Sequence, residues 1–153
     1  KNIKDIETVF LNAGVLGEIK ILSELSIQEI NDVYALNVYA NKELLDILMT
    51  MNVKNSILIS SGASKTGYKG WGSYSLSKAG VNMLANLSLI SSTVKTPMTD
   101  YIRYEIDEEI FTSAKKLSEG IVQTTEETAI KIDNFIQRID EFESGTYIDV
   151  RQI

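Results

Sequence analysis

Two short β-rich apolar runs separated by a long amphipathic stretch constrain this chain more than any single residue does. Thr8-Val9-Phe10-Leu11 ends in the small residues Asn12-Ala13-Gly14, and Asn55-Ser56-Ile57-Leu58-Ile59-Ser60-Ser61 is apolar in its middle, so each reads as a strand closed by a turn. Between them, Ser26-Ile27-Gln28-Glu29 has the capping-box pattern. Ile30, Val33, Tyr34, Val38, Leu44, Leu45 and Leu48 follow at helical spacing, which predicts a helix over about 26–51. A loop rich in Gly and Ser over 62–72 leads into a second helix through Tyr74, Lys78, Val81, Met83, Leu84 and Leu87. Strand, helix, strand, loop, helix in that order predicts parallel strands with right-handed crossovers. Ligands on such sheets sit at the carboxyl ends of the strands, where 12–14 and 60–62 both fall.

Further on, the single proline, Pro97, marks a loop in Val94-Lys95-Thr96-Pro97-Met98, and a short helix is expected over about 107–117. Thr124-Thr125-Glu126-Glu127 is a second capping box, opening a helix that Ala129, Ile130, Ile132, Ile136 and Ile139 carry to about 141. Ser144-Gly145 breaks it, and Thr146-Tyr147-Ile148-Asp149-Val150 reads as a final strand. With no internal repeat, low-complexity tract or interdomain linker, residues 1–153 read as one domain.

The sequence contains neither histidine nor cysteine. That excludes Ser-His-Asp triads, thiolate nucleophiles, disulfides and the usual zinc sites, so no metal is expected and any acid or base must be Tyr, Lys, Asp or Glu. A net charge of −6 without a basic cluster argues against a nucleic-acid partner. No apolar run approaches the roughly 18 residues of a membrane span, so no membrane association is expected and the chain reads as cytoplasmic.

Tyr74 and Lys78 lie four apart in a predicted helix, which places them on one face with the lysine charge near the phenol. A nearby ammonium favours the phenolate and brings the tyrosine closer to working pH as an acid. On spacing alone, the pair also fits an ordinary helix whose side chains are merely neighbours. Asn37, on the inward stripe four residues after Val33, reads first as a satisfied core amide and second as a site residue. Tyr68, Trp71 and Tyr101 suit either a flat apolar pocket or the core, with Trp71 read as core.

Taken together, these residues resemble the short-chain dehydrogenase/reductase family. Leu11-Asn12-Ala13-Gly14 is similar to the family's Asn-Asn-Ala-Gly turn with Leu in first place, and Leu36-Asn37-Val38 to the segment carrying its asparagine. Ile59-Ser60-Ser61 resembles the strand end carrying its serine, and Tyr74-Ser75-Leu76-Ser77-Lys78 matches its Tyr-x-x-Ser-Lys core. Tyr68-Lys69-Gly70-Trp71 is similar to the corresponding loop of sepiapterin reductase and benzil-reductase-like members.

The resemblance implies an α/β, Rossmann-like, doubly wound parallel sheet with helices on both faces. It also implies an oxidoreductase in which a nicotinamide delivers hydride to a small-molecule carbonyl, with NADP(H) favoured over NAD(H) by subfamily analogy. Tyr74 would be the general acid and Ser61 would bond the carbonyl oxygen. Lys78 would lower the Tyr74 pKa and hold the nicotinamide ribose, and Asn37 would hold a water linking Lys78 to solvent. Asn12, Ala13 and Gly14 would border the adenosine-side ribose, and Thr96 would contact the carboxamide. A homodimer or homotetramer would form through the two long helices.

The departures are equally specific. No stretch matches the family's Gly-x-x-x-Gly-x-Gly phosphate turn. Residue 1 corresponds to a point just before its fourth strand, so the first β-α units, roughly a third of the family domain, are expected to be missing. Leu87 runs almost directly into Thr93 where the family has a longer helix, a strand and a Pro-Gly pair, so a junction between segments of a longer protein is expected near 87–93. The alternative is a non-catalytic, truncated Rossmann-like interaction module. An unrelated doubly wound domain would require four ordered coincidences.

Overall fold

A computed structural model describes residues 5–88, 124–143 and 145–149. Strands β1 (Ile6–Leu11) and β2 (Val53–Leu58) pair in parallel, with Thr8 opposite Asn55 and Leu11 opposite Leu58. One more rung, Ile59 N–H to the Leu11 carbonyl at 3.0 Å, extends the pairing past the strand ends. The crossover between them is helical, as a parallel pair requires.

The crossover helix starts where its capping box predicts. Ser26 Oγ accepts from Glu29 N–H at 3.2 Å, and Glu29 accepts from Ser26 N–H at 2.8 Å. The single helix expected over 26–51 is instead α1 (Ile27–Tyr34), a π-helical turn (Ala35–Tyr39) and α2 (Ala40–Met49). Geometry supplies the reason. Val33, Asn37, Asn41 and Leu45 are all buried at a strict spacing of four. In an α-helix each such step drifts by about 40° around the axis, so four buried positions in line need a wider turn, and the π turn supplies it at Asn37.

The third long helix, α3 (Gly72–Ser88), and a fourth, α4 (Thr125–Gln137), cover opposite faces of the strands. Leu58, with Leu11, meets Leu45 of α2 and Val81 and Ala85 of α3. Ile57 and Ile59 point the other way, onto Phe135 of α4 and Ile148. Alternation along β2 thus feeds two separate apolar clusters, as expected of a sheet with helices on both faces. The Thr124 capping box forms, with Glu127 N–H donating to Thr124 Oγ1 at 3.1 Å.

Two expectations need correction. Residues 146–149 form no strand, although Ile148 is buried against β2 as a last strand's side chain would be. The second strand stops at Leu58, which leaves Ser60 and Ser61 beyond the ladder. Thr96, Tyr101, the loop at Pro97 and the helix expected over 107–117 lie outside the described residues, as does most of the expected junction near 87–93. Among the described residues no helix is long and apolar enough to cross a membrane.

Candidate active site

The carboxyl ends of β1 and β2 open beside the first turns of α3, and the polar side chains converge there. Tyr74 and Lys78 are both buried, at 5% and 3% exposure, one helical turn apart. Lys78 Nζ donates to the Ile59 carbonyl at 2.7 Å and stands 5.6 Å from the centre of the Tyr74 ring. Ser60 Oγ donates to the Lys78 carbonyl at 3.2 Å, so the strand end and the helix hold each other from both sides.

Ser61 caps a 3-10 turn, Gly62–Ser64, its Oγ accepting from Ala63 N–H at 3.2 Å. That leaves the hydroxyl proton free to point toward the neighbouring Tyr74 oxygen, whose pKa the Ser61 side chain lowers. Burial nevertheless holds the Tyr74 phenol above its ordinary value of 10.0, with Ser61 pulling the other way. Burial drops the Lys78 amine from 10.5 to about 8. The sequence-based expectation that the lysine lowers the phenol's pKa is therefore not met in this state. The ammonium is bonded to Ile59, and desolvation is the larger influence on the tyrosine.

Asn37 is fully buried and its amide is spoken for. Its Oδ1 accepts from Val15 N–H at 2.8 Å, while Nδ2 donates to the Val15 carbonyl and to Ser77 Oγ, each at 2.9 Å. Ser77 Oγ in turn donates to the Tyr74 carbonyl at 2.8 Å. Asn37 therefore bridges the loop after β1 to α3, and its amide protons are committed to protein partners. Its main-chain carbonyl, in the π turn, accepts from Asn41 Nδ2 at 2.7 Å.

Gly14 lies in the same cluster. A Cβ there would stand 3.3 Å from both Asn37 Oδ1 and Lys78 Nζ, so a side chain would press on the two groups together. Asn12 and Ala13 are exposed next to it, bordering the cluster without entering it. Trp71 is core, as expected, packed with Leu16, Ala63 and Tyr74. It stands edge-on to Tyr68 and Tyr74 at 5.2 and 5.9 Å between ring centres, and its Nε1 is buried without a hydrogen-bond partner among the described residues.

The structure thus brings together Gly14, Asn37, Ser61, Tyr74 and Lys78, and places Thr96 outside its described residues. Sequence reasoning gave no role to Ser77, Ser64 or Asn82. Ser77 was visible as the third residue after Tyr74, and Asn82 as the eighth, on the same helix face.

Fold and site define a Rossmann-like α/β protein with a Ser-Tyr-Lys cluster at the carboxyl ends of its strands. The chain belongs to the short chain dehydrogenase family, whose model matches residues 1–97. It is 40% identical over 82 residues to the (S)-benzoin-forming benzil reductase of Bacillus subtilis, an alignment covering 50% of this chain and 33% of that protein. It is 29% identical over 168 aligned positions to the sepiapterin reductase of Rattus norvegicus, covering 93% of this chain and 62% of the relative. The chain thus spans between a third and somewhat over three fifths of the curated relatives it matches. Among solved structures, KRED1-Pglu superposes with a TM-score of 0.76 at 20% identity, over 94% of this chain and 68% of that one. A short chain dehydrogenase from Escherichia coli CFT073 complexed with NADPH superposes with 0.73 at 20% identity, over 98% and 65%. At such identities these two likenesses speak for the fold alone.

Proposed function

We propose that this chain carries the catalytic part of an NAD(P)(H)-dependent oxidoreductase that reduces a small-molecule carbonyl to an alcohol. The observation that carries this reading is the buried Tyr74 phenol with the Lys78 amine buried one turn further on, 5.6 Å from its ring centre, and Ser61 beside it. A buried phenol with a hydroxyl beside it is a suitable proton source for an alkoxide.

The residues present suit a nicotinamide cofactor. An ammonium has three donors, and among the described residues Lys78 uses one on Ile59, which leaves two for vicinal ribose hydroxyls. Asn12, Ala13 and Gly14 offer small side chains at the strand end for the adenosine side, and Thr96 is assigned the carboxamide. When bound, the cofactor supplies the hydride. Tyr74 then donates its proton to the carbonyl oxygen while Ser61 bonds that oxygen as charge grows on it. Lys78 orients the ribose and, charged, favours the phenolate left behind. Asn37 holds, on its main-chain carbonyl, the water that links Lys78 to solvent and through which the proton is returned, since its amide protons are taken.

NADPH is favoured over NADH, in keeping with the NADPH held by one of the structural relatives. Half-buried Tyr68, packed against the core residue Trp71, supports an aromatic carbonyl as the substrate class to try first. A dimer or tetramer through α1 to α3 belongs to the same reading, supported by the outward Leu36, Tyr39, Leu76 and Met83. So does a longer parent protein joined near 87–93: the alignment to the rat enzyme runs over 168 positions, more than the 153 residues of the chain.

The test is fluorescence-detected titration of NADPH and, separately, NADH, with the intact mass of the sample recorded. Saturable binding and turnover of an aromatic ketone, with both weakened in Lys78→Ala, is the expected result. Absence of binding by either dinucleotide would replace this reading with the non-catalytic interaction module.

A further inference from the structure

Successive turns of α3 each take hold of the segment that follows β2. Tyr74 meets Ser61; Lys78 meets Ile59 through its amine and Ser60 through its carbonyl. One turn beyond, Asn82 Nδ2 donates to Ser64 Oγ at 2.8 Å, and Ser64 Oγ donates to the Ser61 carbonyl at 2.6 Å. Residues 74, 78 and 82 share one helix face, and the last of them reaches Ser61 through a single intervening hydroxyl.

The polarity of this chain of bonds is forced. Ser64 has one hydroxyl proton and gives it to the Ser61 carbonyl, so toward Asn82 it can only accept. Asn82 must therefore turn its amide nitrogen to Ser64. Its Oδ1 is then buried with no hydrogen-bond partner among the described residues, an arrangement that carries a cost. A serine or an apolar residue would avoid that cost. What the asparagine secures is the far end of the relay. Within the turn Gly62 is exposed, as are Lys65, Thr66 and Gly67 after it, and Ala63 is the only residue of the turn packed into a core cluster.

We propose that Asn82 is a positioning residue of this site: through Ser64 it ties the main chain of Ser61 to α3, and so keeps the Ser61 hydroxyl beside the Tyr74 oxygen. The assignment rests on the carbonyl-reductase reading and adds to it a residue that touches neither substrate nor cofactor. Because Ser61 and Tyr74 come from different elements, their alignment depends on how firmly the turn is held to the helix. A displacement of about 1 Å in a reacting group can cost up to 100-fold in rate.

The experiment is a double-mutant cycle between Asn82→Asp and Ser61→Ala, read as kcat and KM for NADPH-dependent ketone reduction. Asp keeps the shape of Asn and removes both donors, so it meets a Ser64 oxygen whose proton is already committed. With Ser61 present, Asn82→Asp lowers kcat roughly 10- to 100-fold and leaves the NADPH KM within about twofold. In the Ser61→Ala background it costs nothing further. An equal loss in both backgrounds overturns the assignment, because a purely structural role would not depend on Ser61.

A second readout is independent of turnover. In protein labelled at the hydroxyl-bearing carbon of tyrosine, with Tyr74→Phe identifying the resonance, Asn82→Asp moves the Tyr74 signal in the same sense as Ser61→Ala. An unmoved signal in folded protein overturns the tether whether or not the enzyme is active. Absence of turnover in the unsubstituted protein, with the signal moving as expected, would instead sink the reductase reading and leave the tether standing. If Asn82→Asp does not fold, Ser64→Ala enters the same measurements with the same deciding outcomes.

Discussion

On one side of β2, Ile57 and Ile59 meet Phe135 and Ile148, and no polar side chain is buried among them in the described residues. On the other side, the apolar cluster around Leu58 shares its space with Asn37, Asn41, Ser56, Ser60, Ser73, Ser77 and Lys78, all buried. Burying that many polar groups is worthwhile only where they answer one another, and most do so through named bonds at the strand ends. The α4 face contributes burial and little else. The α3 face gives up some apolar contact in order to hold a set of groups in fixed relation, which points to where the chemistry lies.

The largest expected effect separates the two faces through activity. Tyr74→Phe lowers kcat for carbonyl reduction by roughly 10²- to 10⁴-fold with little change in thermal unfolding, because the ring that packs against Trp71 is kept and only the oxygen is lost. Phe135→Ala should do the reverse. It removes a side chain 1% exposed and costs about 3–5 kcal/mol in denaturant unfolding, while kcat of the protein that remains folded is unaltered. A rate loss in that variant would mean that the faces are coupled through β2.

Third in size is a dependence on pH. Folded, the Lys78 amine titrates near 8 against 10.5 for the free side chain. Between those values the unfolded chain holds the proton and the folded chain has released it, so stability without cofactor rises with pH over that window, by about 3 kcal/mol at most. Lys78→Met should flatten the rise, measured as the urea midpoint at a series of pH values. The smallest effect falls on the α4 side, where Thr124→Ala loses the cap of α4 and about 1 kcal/mol, with no change in cofactor affinity.

Much of this was legible in the residues, and the reason is locality. Both capping boxes join a side chain to a backbone group three residues away, and both formed as read. Tyr74 and Lys78 share a helix, so their proximity followed from a spacing of four. The π turn at Asn37 was not legible, because no residue type announces it; it arises from having to bury four positions in line. The final strand was half legible. Alternation around Ile148 indicated which side chain turns inward, but pairing depends on a distant strand that the local pattern does not specify. Asn82 was missed because its partner, Ser64, sits in a loop whose path the sequence leaves open, and the lysine's effect on Tyr74 was overestimated because helix spacing says nothing of the Ile59 carbonyl.

The amide of Asn37 does for Val15 what a neighbouring peptide unit would do, presenting one acceptor and one donor to a single residue's N–H and C=O. Aspartate has no donor to offer and leucine has neither group, so architecture alone selects this residue from among side chains of its size. A descendant that had lost all turnover would still be held to it. An asparagine at this place therefore testifies to inherited construction, and the diagnostic atom for a living enzyme is the Tyr74 oxygen, which the fold could spare.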